Sequence, residues 1–205
     1  MNALIFAGGA FDGIPQGVCL ETFSLILAAD KGYGYAESLG IVPHIFVGDF
    51  DSFCEDTPIK SAEIFRLQTE KDMTDTQKAI EIAIARGADH ILILGALGGR
   101  IDHTFANIQL LKFGLDRGVY IYLADANNFV TLTNNAIKIP KQDGWCLSLL
   151  PLTPCRRVTA KGVYYPLLDA AMELGSSLGV SNEFTEDFAE ISLASGLLLV
   201  MVCKK

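Results

Sequence analysis

The fold class can be read from "HILILGALGGRIDHTFANIQLLKFGLDRGVYIYLAD" (His90–Asp125). This stretch opens as a continuous apolar run, crosses a glycine-rich turn, continues as a long helical segment and ends in a second apolar run. Neither apolar run alternates with polar residues, which is how a strand covered on both faces reads. Two such strands joined by a helix predict a βαβ unit and a mostly parallel sheet.

The same texture extends upstream. "ALIFAGG" (Ala3–Gly9) and "FSLILAADKG" (Phe23–Gly32) read as strands, and "GYAESLG" as a short helix closed by Gly40. "HIFVGDFDS" (His44–Ser52) is a third strand running into two aspartates. In "TDTQKAIEIAIARGA" the apolar residues Ala79, Ile80, Ala83 and Ile84 have helix-face spacing. Thr74 with Gln77 supplies a capping-box start, and Gly87 an end. Beyond about Asn127 the pattern changes. "NFVTLTNNAIKIP", "GWCLSLLPL", "RRVTAKGVYY" and "AEISLASGLLLVMV" are strand-like, with turn signals at Asn134-Asn135, Asp143-Gly144 and Ser195-Gly196. "PLLDAAMELGSSLG" reads ambiguously, as a turn plus a strand or otherwise. A smaller all-β domain is expected there.

Composition narrows the function. The 205 residues are half apolar and one-fifth charged, as in a globular chain able to bury a core. A formal net charge of −8 argues against a nucleic-acid partner, while leaving room for one local basic pocket. The five cysteines are scattered, without Cys-x-x-Cys or zinc spacing, and read as reduced, cytosolic thiols. "MNALIFAGG" lacks a basic leader and reads as a strand, and "ISLASGLLLVMVC" is too short and broken to span a bilayer. A soluble, cytoplasmic protein with no membrane partner is expected.

Polar residues gather where the predicted strands end: Asp30, Asp49 with Asp51, and Gly95 through Asp102, while Asp72 and Asp75 precede a helix. In an open parallel sheet these ends share one edge, where ligands bind. Asp49 and Asp51, two residues apart, repel unless a cation answers them. With Asp75 they suit Mg²⁺, a hard cation that takes carboxylate, water and phosphate oxygens. Alternatively Asp75 is a first-turn charge favoured by the helix dipole, and Asp30 an N-cap. In "LGALGGRIDHTFAN" (Leu94–Asn107) the glycines Gly98 and Gly99 let backbone N–H groups approach an anion, and Arg100 offers a planar fork of donors. Gly8 and Gly9 offer a second cradle. Lys78 either neutralises phosphate or is a solvated helix lysine, and His103 either donates to phosphate or Asp102 or is a satisfied helix histidine. No Ser or Cys nucleophile with a His base stands near the acids. Carboxylates for a cation, an anion cradle and an arginine equip a site for phosphoryl-type transfer, without naming the acceptor.

Taken together, "AADKG", "GDFDS", "EKDMTDTQKA", "LGALGGRIDH…N" and "GVSNEF" (Gly179–Phe184) resemble the thiamin pyrophosphokinase family across nearly the whole chain. The resemblance implies a Rossmann-like α/β domain over 1–130 and a β-sandwich over 131–205. It implies transfer of pyrophosphate from ATP to the hydroxyl of thiamin, giving thiamin diphosphate and AMP, in a homodimer with sites between subunits. Carried over by motif, Asp49, Asp51 and Asp75 hold Mg²⁺, Asp30 and Asp72 complete the acidic cluster, and Lys78 and Arg100 hold phosphates. Gly98, Gly99, Asp102 and His103 line the nucleotide loop, and Ser181 and Asn182 the thiamin pocket. Two departures stand out. Lys31 replaces a frequent glycine, and the aromatic partner for thiamin is left among Tyr164, Phe184 and Phe188. The rival readings are a pyrophosphokinase for another alcohol such as a pterin, a non-catalytic nucleotide or thiamin diphosphate sensor, and a metal-dependent phosphohydrolase.

Overall fold

Strand β1 (Asn2–Phe6) lies at the centre of a parallel sheet, because its residues Ala3 to Phe6 are wholly buried and only a strand covered on both faces can be so apolar. The computed structural model describes residues 1–48, 59–67 and 72–205, which divide into two units, Met1–Ala126 and Asn127–Lys205.

In the first unit the chain moves outward from β1 through β2 (Leu25–Ala29), β3 (Ile45–Gly48) and β4 (Glu63–Arg66), each parallel to the last. It then returns to the other side of β1 with β5 (His90–Leu94) and adds β6 (Tyr120–Ala124). The order is therefore β6-β5-β1-β2-β3-β4, and its direction reverses between β1 and β5. Such a switch point opens a crevice at the carboxyl ends of the two strands. Among the described residues three α-helices connect the strands: α1 (Gly32–Ser38), α2 (Asp75–Ala85) and α3 (Ile101–Leu115). Helix α2 packs over β1 to β3, and α3 against β6. Phe6, Phe46, Ile80, Ile93 and Leu123 are fully buried between these layers, each worth roughly 1.5–3 kcal/mol of transfer free energy.

Helix α2 starts as expected. Thr74 is its N-cap, and its hydroxyl accepts from the Gln77 N–H at 3.2 Å. The alternative of Asp30 as an N-cap is corrected: Lys31 occupies that position of α1 and makes no side-chain cap. Strand β4 is not apparent in the sequence, because two of its four residues are charged. Arg86, just past α2, grips Glu63 of β4 through two hydrogen bonds of 2.8 and 2.6 Å.

The second unit is a β-sandwich. One antiparallel sheet joins β7 (Asn128–Thr133), β14 (Leu198–Lys204), β9 (Trp145–Pro151) and β12 (Asn182–Glu183). The other joins β8 (Ala136–Pro140), β13 (Phe188–Ser192), β10 (Cys155–Lys161) and β11 (Leu167–Met172), so the ambiguous segment is in part a strand. Leu147, Leu149, Val200 and Val202 from the first sheet meet Ile139, Val158, Ala160 and Ile191 from the second in one core. The period-two alternation of a half-buried strand produces this arrangement.

Candidate active site

A cleft of about 800 Å³ opens at the switch point, walled by the segments that follow β1, β2 and β5 and by the start of α2. Its floor is backbone. Ala7 N–H donates to the Leu94 carbonyl and Gly9 N–H to the Gly95 carbonyl, both at 2.8 Å, prolonging the β1–β5 pairing past the strand ends. A Cβ on Gly95 would lie 2.4 Å from the Ala7 oxygen, and one on Gly32 only 2.0 Å from the Phe6 oxygen. These close approaches admit no side chain. Gly8 and Gly9 therefore form part of the wall, and the hydroxyl of Tyr35 holds the Gly9 carbonyl at 2.7 Å.

The turn after β5 is built to stay open. Gly95, Gly98 and Gly99 all take positive φ, and Asn107 of α3, buried, donates its amide to the Ala96 carbonyl at 2.8 Å. The Thr104 hydroxyl reaches the carbonyls of Gly98 and Arg100, each at 3.2 Å. Asn107 stood in the motif, but nothing in the sequence told its role from that of a surface helix residue. The turn delivers the chain to the N-terminus of α3, where free N–H groups favour an anion.

Asp30 enters the cleft by an unusual backbone. Its φ is +49°, a left-handed conformation that costs a non-glycine residue about 1–2 kcal/mol. Its N–H donates to Val47 and its carbonyl accepts from Tyr33, so strands and helix together hold the strain. A Cβ on Gly8 would come within 3.3 Å of the Asp30 carboxylate, so that glycine leaves room beside it. Strain kept at a strand end beside a cleft is a mark of a functional position. Lys31 lines the same wall.

Of the expected residues, Asp30, Asp72, Asp75, Gly98, Gly99, Arg100 and His103 line this one cleft. Asp102 is not among the residues that line it; it is fixed to Arg100, which is, by bonds of 3.1 and 2.5 Å, and accepts from the His103 N–H at 2.9 Å. The Arg100 hydrogen bonds hold the Asp102 carboxyl down at about 2, and the pair raises Arg100 in turn. Lys78 bonds to Glu81 at 3.1 Å on α2, and is not in the cleft wall. Asp49 and Asp51, which follow β3, lie outside the described residues. Among the described residues no three metal-binding side chains cluster. The three carboxylates of the cleft are still the donor type that Mg²⁺ prefers, and that ion takes its remaining ligands from water and phosphate.

Ser181 and Asn182 belong to the sandwich. Ser181 takes φ +58° and donates its N–H to the Ser148 hydroxyl at 3.0 Å. The Asn182 amide is buried and bridges the backbone of Tyr165, accepting at 2.9 Å and donating at 2.7 Å. Asn182 thus fixes the Tyr164-Tyr165 turn, where Tyr164 is exposed and meets Tyr165 edge to face. Phe188 is exposed beneath Lys138, and Phe184 packs on the core.

A Rossmann-like unit with a carboxylate-lined, glycine-walled crevice, followed in the chain by a small β-sandwich, defines the class as a two-unit α/β protein with its crevice at the sheet's switch point. The chain matches the thiamin pyrophosphokinase catalytic domain over residues 18–123 and the thiamin pyrophosphokinase vitamin B1 binding domain over residues 134–198. It is 33% identical over 205 residues to the thiamine pyrophosphokinase of Bacillus subtilis, covering 96% of each chain. A crystal structure of thiamine pyrophosphokinase from Bacillus subtilis superposes with a TM-score of 0.90 at 31% identity over all of both chains. A thiamin pyrophosphokinase family protein from Enterococcus faecalis does so with 0.91 at 30%, again over all of both chains. This chain belongs to the thiamin pyrophosphokinase family.

Proposed function

We propose that the protein transfers the pyrophosphoryl group of ATP to the hydroxyl of thiamin, with Mg²⁺, yielding thiamin diphosphate and AMP. The observation that supports this most is the convergence of Asp30, Asp72, Asp75 and Arg100 with two glycine cradles on one cleft at the sheet's switch point. Matches to a catalytic domain and a vitamin B1 binding domain suit a division in which the α/β unit takes the nucleotide and the sandwich takes thiamin. They favour thiamin over a pterin as the acceptor.

In this reading the glycine turns and the N-terminus of α3 bind the ATP phosphates, and Arg100 pairs with a phosphate oxygen as it does now with Asp102. Asp49, Asp51 and Asp75 would hold Mg²⁺, with Asp30 and Asp72 completing the acidic set. When bound, the ion would supply charge neutralisation to the phosphates; the glycine turns and Arg100 hold those phosphates for attack of the thiamin hydroxyl on the β-phosphorus. Side chains here position and neutralise; they form no covalent intermediate. The enzyme acts in the cytoplasm as a homodimer, with Ser181 and Asn182 lining the thiamin pocket. Sedimentation at working concentration tests the assembly.

The test is substitution with turnover and folding read together. Asp49→Asn, Asp51→Asn and Asp75→Asn should each lower kcat at least about 100-fold, with the circular dichroism spectrum unchanged. Chelating Mg²⁺ should stop the wild type. Near-normal turnover in all three variants would overturn the metal assignment.

A further inference from the structure

Two cysteines that the sequence places far apart face each other in the sandwich. Cys146 on β9 and Cys203 on β14, 57 residues apart, are direct cross-strand partners. Directly opposed residues project from the same face of a sheet. Their neighbours Leu147 and Val202 turn into the core, so Cys146 and Cys203 turn the other way, and both are partly exposed. The Lys205 N–H donates to the Gly144 carbonyl at 3.0 Å, and Cys146–Cys203 is two residues further along the same register. It is therefore a hydrogen-bonded pair, with Cα atoms about 5.5 Å apart, inside the range a disulfide spans. The Cys146 thiol already points along this row, donating to the Cys203 carbonyl at 3.4 Å.

Among the described residues the other thiols are placed differently. Cys19 is exposed, but the Glu21 carboxylate accepts its hydrogen bond at 2.9 Å and pushes the thiol up. Cys155 is buried, which also pushes it up, and its strand partner is Met172.

We propose that Cys146 and Cys203 form a redox-responsive dithiol that a peroxide closes into a cross-strand disulfide, and that closure is transmitted to Ser181–Asn182. The Cys146 thiolate attacks a peroxide oxygen and expels hydroxide, leaving a sulfenic acid. The Cys203 thiolate then attacks that sulfur and expels the second hydroxide. The two thiol protons convert both to water, and two electrons pass from sulfur to peroxide. A small thiol reverses the bond by exchange.

Transmission follows from the strand order. Strand β12 pairs with β9 through Asn182 with Leu147 and Glu183 with Cys146. Cys146 thus lies between Cys203 on one side and the Ser181–Glu183 segment on the other. A disulfide needs Cβ atoms about 3.8 Å apart, whereas opposed strand residues keep them about 4.5–5.5 Å apart. Closure therefore draws Cys146 toward β14 and away from β12, a strand of two residues. The consequence for thiamin binding rests on the proposed role of Ser181 and Asn182; the bond and the strand shift do not.

The test treats the full chain with hydrogen peroxide, blocks free thiols, and maps cysteines by mass spectrometry alongside hydrogen–deuterium exchange. The expected result is a Cys146–Cys203 linked peptide about 2 Da lighter than its reduced parts, reopened by dithiothreitol. Amides of Ser181–Glu183 should exchange several-fold faster in the closed form, and Cys203→Ser should abolish both changes. Cys146→Ser serves as a second variant should Cys203→Ser fail to fold. Thiols that stay free, or that oxidise singly to sulfinic acid, would overturn the dithiol. A bond with unchanged exchange at Ser181–Glu183 would overturn the transmission. Neither readout uses turnover, so failure here is distinguishable from failure of the kinase assignment.

Discussion

Arg100, in the cleft wall, and Asp102 hold one another, and pH probes that pair directly. Asp102 is depressed from 3.8 to about 2, chiefly by its hydrogen bonds from Arg100. A lowered carboxyl contributes its interaction fully above the ordinary value and loses it as pH falls through the lowered one. The Asp102 carbon resonance should therefore stay flat from pH 8 to pH 4 and move only near pH 2. An inflection near 4 would show the pair to be open in solution. Because Arg100 is 73% exposed, the pair adds little stability. Asp102→Asn should instead raise KM for ATP while leaving the unfolding midpoint in place. Asn107 acts differently. Its buried amide holds the Ala96 carbonyl, so Asn107→Ala should cost about 1–3 kcal/mol in urea unfolding. An unchanged midpoint would mean that water replaces the amide without loss.

At the scale of elements, most of the strands and helices were legible because each follows a simple period. The apolar runs that became β1, β2, β5 and β6 read as strands, although β6 leaves Tyr120 exposed, and Thr74 with Gln77 announced the start of α2. Strand β4 escaped because an edge strand with two charged residues lacks the apolar signal. The Cys146–Cys203 pair escaped because register is set by sheet pairing, not by spacing. Asp30 was legible as a strand-end acid, yet its positive φ depends on Val47 and Tyr33, which no local pattern joins to it. Thr74→Ala removes the α2 cap and should lower stability by roughly 0.5–2 kcal/mol, while Thr74→Ser should restore it. Gly32→Ala places a Cβ on the Phe6 carbonyl, so soluble folded yield should collapse; normal yield would mean that α1 can lift from β1.

For the whole molecule, the decisive feature is topological. The strand order reverses between β1 and β5, and the chain places a glycine cradle after each. The acids that follow or precede neighbouring elements then share one cleft, although they are spread from Asp30 to Asp75 in sequence. That convergence could be anticipated from a parallel sheet alone. Asn182 could not be understood in the same way, because its amide serves the Tyr165 turn and the sequence shows only a Ser-Asn pair. The group transferred from ATP is identified by following its phosphorus atoms. The protein is incubated with ATP labelled at the γ-phosphorus, Mg²⁺ and thiamin, and the products are separated. Pyrophosphoryl transfer yields labelled thiamin diphosphate with an equal amount of unlabelled AMP. Labelled thiamin monophosphate with ADP, or label released as inorganic phosphate without any change in thiamin, would contradict it.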